Sequence, residues 1–464
     1  MSAATSRNLL VRGAEERSKA INKYIADNRN CKTNLVMNAF QHDKIIPVNV
    51  YTLPRNLLRL NPENGRFKAE LDVIREERKK AGKSLELDPD DEEDIQTLRN
   101  MIKGIYPKNT ERANAYKKLY DNILEVSLKT NTNGQEQPGM ITFDGIYVNG
   151  NRRDTVMEDL SETTKKQKGE PLKYHEIRVG ILDKDVSQYD LWKNEAKEQI
   201  SQESREEYDY VNSAIEIKRG YNLLRKRDFS DKRAKEEIAK TLYGRNAQDV
   251  ENYLNFLEIA DLFLKQVKKP GQYRFIQESG NAEGEKGIVT ILQEVEKQKT
   301  KYEKEGWDPV SIQKWFKSVC IFCIYSKIKP TVTRSDGTKR PLSFGHREYR
   351  VFQKKAMATD ETRKRVFSSP VLDKIDWNNP SKEVASEFHD VIASAQSYYD
   401  IQESIADPLS LLVKASDSLS RISQDLNSSH RSNMVKVIRE NDGLRKINDI
   451  KRFISDITMK ISKK

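Results

Sequence analysis

The sequence predicts an α+β chain, with a mixed N-terminal domain followed by helical middle and C-terminal regions. Three observations predict it. Segments rich in β-branched residues and turn signals are confined to the first 182 of 464 residues. Beyond Lys184 the apolar residues recur at helical spacing. Charged residues make up 33 % of the chain against 36 % hydrophobic, and the mean hydropathy is −0.80, a balance that suits solvated helices around modest cores.

The elements follow in order. Residues 1–44 read as a polar helical arm, with Leu9, Leu10, Ile21 and Ile25 available for docking. A first domain is expected over 45–220. It opens with IIPVNVYTLPRNLLRLNPENGRF, β-branched and broken by prolines, hence a strand and a turn. The segment 67–120 is helix-rich and charged, with an acidic loop at Asp88–Asp94. PGMITFDGIYVNGNRR then predicts two short strands across the Asp144-Gly145 turn, a helix over 153–162 and a further strand over 174–182.

Residues 188–265 predict helices joined near Asp228 and Gly244, with a helix-turn-helix-like module over 221–285. A helical region over 286–400 carries a basic loop, TVTRSDGTKRPLSFG. The final segment, 401–464, has the clearest periodicity. Leu412, Ala415, Leu419, Ile422 and Leu426 alternate spacings of three and four, and Ile447, Ile450, Ile454, Ile457 and Ile461 repeat the pattern. Such seams pack helix on helix, as a hairpin within the chain or as a coiled coil between two copies.

Several classes fall away. No run approaches the ~18 apolar residues of a membrane span, so no membrane partner is expected. The first 24 residues lack the apolar stretch of a secretory signal. Three cysteines make no disulfide framework, which predicts a reducing cytoplasmic setting, nucleoid-associated in a prokaryote. The formal charge of +11 permits a polyanionic partner.

The chemistry concentrates at residues 133–153, NGQEQPGMITFDGIYVNGNRR. Gly150 lets a backbone approach a ligand closely. Arg152 and Arg153 follow at an expected helix N-terminus, where unpaired N–H groups already favour an anion. Adjacent guanidinium groups add forked hydrogen bonds suited to phosphate oxygens. The alternative is an exposed turn whose arginines pair with Glu158 and Asp159.

This segment resembles the core of the ParB/sulfiredoxin-like superfamily, in which a Gly-Gln-x-Gln-Pro stretch, a strand, an Asp-Gly turn and a Gly-x-Arg-Arg box precede a helix. RLNPENGRF resembles the family's first box and NEAKEQISQESREEYDYVNSAIEIKRGY its third, so the likeness spans about 45–220, with 67–120 as an insertion. The resemblance implies a ParB-like N-terminal domain whose pocket holds a nucleoside triphosphate (CTP or ATP) with Mg²⁺. It places Gly150, Arg152 and Arg153 on the phosphates, with Asn151 in the same box. Arg66 and Gln135 line the site, and Glu198 and Gln199 neighbour metal or phosphate, Glu198 as the metal ligand. Asn151 stands where ParB proteins carry Glu, a departure that bears on hydrolysis more than on phosphate binding. Asn151 also stands where sulfiredoxins carry their catalytic Cys, which removes sulfinic-acid repair.

In ParB-like proteins a helix-turn-helix follows this domain, and residues 231–264 have that shape around Gly244. Arg245, Gln248, Asn252 and Asn255 are the candidate DNA contacts, set against Asp249 and Glu251 on the same helix. A purely structural helical core is the competing reading. HREYRVFQKK adds Arg347 and Arg350, with Tyr349 and Phe352 placed for stacking on bases or else for a core. Cys320-x-x-Cys323, in an apolar run, reads as packing. The expected function is a nucleotide-responsive DNA-binding protein that self-associates, as a dimer, through its C-terminal helices. A ParB-like nuclease or nucleotide hydrolase, with Asp154, Glu158, Glu195 or Glu198 on Mg²⁺, is the enzyme alternative, and a protein-interaction adaptor the third.

Overall fold

The computed structural model describes residues 13–168, 174–199, 210–242, 245–277, 287–333, 339–406, 408–426 and 443–462. Leu9, Leu10, Gly244, residues 334–338 of the basic loop and the stretch 427–442 lie outside the described residues. The chain divides into two compact units, Met1–Tyr349 with Leu372–Ala385, and Arg350–Val371 with Ser386–Lys464.

The first unit is built on a five-stranded mixed sheet. Its strands are β1 (Lys32–Gln41), β2 (Lys44–Pro54), β3 (Gly139–Ile141), β4 (Tyr147–Asn149) and β5 (Glu176–Ile181), in the order β1-β2-β5-β3-β4. β3 runs parallel to β5, and the other pairings are antiparallel. Side chains alternate across a strand, so Ile141 and Tyr147 enter the main core on one face while Met140 and Val148 join a smaller cluster on the other. The helices of this unit begin with α1 (Ala14–Asp27), α2 (Lys68–Lys80), α3 (Glu92–Ile102), α4 (Thr110–Thr130) and α5 (Asn151–Lys168). They cover the first face through Ile21, Leu71, Leu98, Ile123 and Leu160. α6 (Gln188–Gln199) sits against the second face through Leu191.

The predicted helical arm over 1–44 is corrected: among the described residues only 14–27 are α-helical, and Lys32–Gln41 is an edge strand. Its first seven residues are exposed or half-buried, so they carry no apolar alternation from which a strand could be read. Gln41 pairs with Lys44 across a two-residue turn in which His42 and Asp43 both have positive φ, the geometry of a tight hairpin. The hairpin at Asp144-Gly145 falls where expected. Gly145 has φ +83°, and a Cβ there would meet Ile21 at 2.9 Å and the Leu57 carbonyl at 3.0 Å.

The expected boundaries at 44, 220 and 285 fall inside the first unit. Buried polar bonds tie these segments together, and one of them, Arg274 to Glu70, crosses the boundary at 220. α7 (Tyr210–Arg225) sends Asn212 to the Ala69 N–H and the Arg66 carbonyl, both at 3.0 Å. Arg274 reaches the fully buried Glu70 on α2 at 3.3 Å. α8 (Asp231–Thr241) and α9 (Ala247–Gln266) follow α7. Cys320 and Cys323 are fully buried in the helix Pro309–Ile328, and burial pushes both thiols up, as packing residues require.

In the second unit Phe352, Ala356, Val366 and Phe388 are fully buried. Lys355 pairs with Asp400 at 2.7 Å, and the Arg365 guanidinium lies 4.1 Å from the Tyr398 ring centre. The helices Pro408–Leu426 and Gly443–Ser462 carry an exposed apolar seam.

Candidate functional site

A cleft of about 970 Å³ opens in the first unit, and it gathers residues from widely separated segments. Arg66 comes from the turn after β2, Gln135 from the loop before β3, and Gly150, Asn151, Arg152 and Arg153 from the start of α5. Six of the eight residues assigned to nucleotide or phosphate from the sequence therefore meet in one place. The side chains of the remaining two, Glu198 and Gln199 at the end of α6, lie outside the described residues, while their neighbour Lys197 lines the cleft.

Each boundary of this cleft has a local cause. Gly150 accepts the N–H of Asp154 at 2.9 Å and so opens α5, whose first turn begins at Asn151. A helix leaves its first N–H groups without acceptors of its own, which gives this end a positive field. Gly150 sits at φ +122°, and a Cβ there would crowd the Tyr147 ring at 3.2 Å. Position 150 thus needs its glycine for backbone conformation and for packing against Tyr147.

Asn151 ties the first box to the second. Its Oδ1 accepts the Asn61 N–H at 2.8 Å, which fixes the amide with Nδ2 as the donor end. Asn151 is only 5 % exposed, and Nδ2 meets no acceptor among the described residues. A buried unsatisfied donor costs ~1–3 kcal/mol, which marks this cleft-wall group as a place for a ligand acceptor.

Gln135 has another role. Its Nε2 donates to the Gln137 and Arg178 carbonyls at 3.0 and 2.8 Å, and its Oε1 accepts the Arg178 N–H at 2.7 Å. The side chain straps the Gly-Gln-x-Gln-Pro loop to β5 and has no donor left for a phosphate.

The acids near the box are engaged in the same way. Asp154, fully buried, bonds Arg55 Nε at 2.7 Å, and Glu158 bonds Arg55 Nη2 at 2.6 Å. Burial alone would lower the Arg55 pKa, but Asp154 and Glu158 more than reverse this and leave it above its ordinary value. Glu195 accepts the Gly65 N–H at 2.8 Å and lies 3.6 Å from Arg219. Asp159 is held by Lys103 at 2.6 Å and by the Tyr116 hydroxyl at 2.7 Å. The described residues thus leave none of Asp154, Glu158 and Glu195 to ligate Mg²⁺, and they do not fit a protein-held metal at this end of α5. The two acids that an exposed Arg-Arg turn would use, Glu158 and Asp159, are bonded to other partners.

Sequence reading missed the contribution of α4, which begins in the insertion and runs past its expected end at 120. Asn114, Lys117, Lys118, Asp121, Asn122 and Glu125 of α4 all line the cleft, at spacings of three and one that make a single helix face. Tyr116 and Ser127 are buried on the other side of the helix, and the buried Ile123 also reaches the cleft wall. That polar stripe was visible in the sequence, but only the fold shows what it faces. Counting Arg66, Arg112, Lys197 and the box arginines, seven cationic side chains line the cleft against three carboxylates.

The candidate DNA contacts divide. Gln248 and Asn252 are exposed on the first turns of α9 and 3.3 Å apart, and Asn255 is half-buried. Arg245 is half-buried with its guanidinium 5.3 Å from the Tyr253 ring centre. The two acids set against this helix are locally engaged: Asp249 closes a capping box with Asn246, and Glu251 pairs with Lys235 of α8. Arg347 and Arg350 are exposed, and of the two readings of Tyr349 and Phe352 the core one holds, since both rings are fully buried. A cluster that sequence spacing did not suggest, His42 with Asp183 and Asp185, is wholly exposed.

No helix among the described residues is long and apolar enough to cross a membrane. Compared with known proteins, the chain matches no family model, no curated protein and no solved structure.

Proposed function

We propose that this chain is a ParB-like DNA-binding protein whose cleft at the N-terminus of α5 holds a nucleoside triphosphate, CTP or ATP, and that the nucleotide regulates DNA binding or assembly. The observation that carries the reading is the convergence of Arg66, Gly150, Arg152 and Arg153 on one cationic cleft. Mg²⁺ enters with the phosphates, because the described carboxylates beside the box are engaged by arginines and backbone. That engagement favours binding over hydrolysis and weighs against the nuclease and nucleotide-hydrolase alternative. Exposed Gln248 and Asn252 on α9, and exposed Arg347 in the same unit, support DNA contact in a chain of net charge +11, and exposed Arg350 is a separate candidate in the second unit. The exposed seams at the C-terminus support self-association with a second copy.

The test is calorimetric titration of the four nucleoside triphosphates with Mg²⁺, on the full chain and on Arg152→Ala/Arg153→Ala. Saturable binding lost in the double variant, with DNA affinity at low salt changing when nucleotide is added, supports the reading. Absence of nucleotide binding by the wild-type chain overturns it.

A further inference from the structure

The insertion over 67–120 has so far only a position, and α4 gives it a task. The helix is firmly docked: Arg112 pairs with the buried Glu70 at 2.8 Å and donates to the Arg66 carbonyl at 2.5 Å, and Tyr116 bonds Asp159 of α5 at 2.7 Å. Near its end, Ser127 bonds the Tyr174 hydroxyl at 2.9 Å. Its cleft-facing stripe is therefore held on a fixed support.

That stripe is electrically graded. Its N-terminal half carries Lys117 and Lys118, beside Arg112, and its C-terminal half carries Asp121 together with Glu125, which Lys129 pairs at 2.5 Å. The cationic half adjoins the first box through the Arg112–Arg66 bond, and the first box reaches the start of α5 through the Asn61–Asn151 bond. The acidic half adjoins the Gly-Gln-x-Gln-Pro loop, where the Gly134 backbone packs directly on the Ile123 carbonyl and Glu136 lines the wall. Neither Lys117 nor Lys118 pairs with a carboxylate among the described residues.

We infer that α4 forms a second anion-binding wall, in which Lys117 and Lys118 hold the far end of a polyphosphate whose near end lies on Asn151, Arg152 and Arg153. This deepens the proposed phosphate site and rests on it. Two cationic walls joined through bonded backbone suit a chain of phosphates rather than a single one, and Asp121 on the next turn of α4 keeps the anion in the cationic half by like-charge repulsion. Asn151 Nδ2, buried in the wall and without an acceptor among the described residues, is the neutral donor at the near end. The ligand class is a polyphosphate-bearing molecule whose affinity rises with phosphate number.

The experiment uses the full chain and inorganic tripolyphosphate, pyrophosphate and phosphate as probes, each titrated at two salt concentrations. Tripolyphosphate is expected to bind more tightly than phosphate. Lys117→Ala/Lys118→Ala is expected to weaken tripolyphosphate about tenfold and to flatten its salt dependence. Asp121→Asn is expected to tighten it, a gain that a merely structural role for α4 does not produce. Tripolyphosphate binding that depends on Arg152 and Arg153 but is indifferent to Lys117 and Lys118 overturns the second wall alone. Binding indifferent to Arg152 and Arg153, or no binding, overturns the phosphate site beneath it.

Discussion

Arg55 and Asp154 form an ion pair at 2.7 Å in which both side chains are almost wholly buried, Asp154 completely so. The pair fixes the first turn of α5, the helix that opens the cleft, to the end of β2. Arg55 Nη2 also bonds the Asp154 carbonyl at 2.8 Å, so side chain and backbone of one residue are held by one guanidinium. Removing Asp154 leaves the buried guanidinium only partly compensated, by Glu158 at 2.6 Å. Asp154→Ala is therefore expected to cost about 3–5 kcal/mol in urea denaturation, whereas Arg55→Met/Asp154→Leu costs less than the single change. Equal costs for the single and double variants contradict the pairing argument.

A pH dependence follows from Glu216 on α7. Burial, with the Glu195 carboxylate beside it, pushes Glu216 up to about 7, against an ordinary value near 4.5. Between those values the folded chain binds the extra proton, so stability falls as pH rises from 4.5 through 7 and stays reduced above. Asp72, raised to about 7 chiefly by burial, acts in the same direction. Asp90 acts the other way: burial raises it, but the Gly13 N–H, Arg59 and Arg17 more than reverse this, so its contribution is lost on acidification. Glu216→Gln is expected to flatten the fall in stability between pH 4.5 and 7, although it also gives up the Arg219 contact at 3.3 Å. An unchanged profile in denaturation melts from pH 5 to 8 refutes the assignment.

The strap at Gln135 and the strain at Gly150 can be separated by substitution. Gln135→Leu leaves the Arg178 N–H without its acceptor and is expected to cost ~2 kcal/mol while sparing phosphate affinity in whatever folds. Gly150→Ala forces a Cβ into the +122° region against Tyr147 and is expected to cost ~1–3 kcal/mol and weaken phosphate binding as well. Calorimetric titration beside thermal melts checks both, and a Gln135→Leu chain that folds but loses phosphate binding assigns Gln135 to the ligand after all.

Much of this arrangement was legible in the sequence because it is written in local chemistry. The Asp144-Gly145 turn, the strand at 176–181 and the helix after Gly150 each carry turn residues or periodicity of their own. The first edge strand was not legible, since seven exposed or half-buried residues in succession give no alternation. Roles fixed by distant partners were equally hidden. Gln135 reads as a ligand residue until Arg178, 43 positions on, takes up its amide, and Asp154 reads as a metal ligand until Arg55 claims it. Tyr349 and Phe352 read as stacking or as core groups alike, because burial is a property of the fold and not of the motif.

The C-terminal seams give the last prediction. Leu412, Leu419 and Ile422 on the helix Pro408–Leu426, and Ile450, Ile454 and Ile457 on Gly443–Ser462, are 37–51 % exposed at heptad-like spacing. Apolar residues in such a row lose contact with water most readily against another helix of the same pattern. In the proposed assembly that helix belongs to a second copy. Leu419→Asp/Ile454→Asp places a charge in each seam and is expected to convert a sedimenting dimer to monomer at micromolar concentration without lowering the melting temperature of the first unit. Deleting 405–464 should do the same. A dimer that survives both changes moves assembly away from this tail and removes the tail's part in the proposed DNA-bound state.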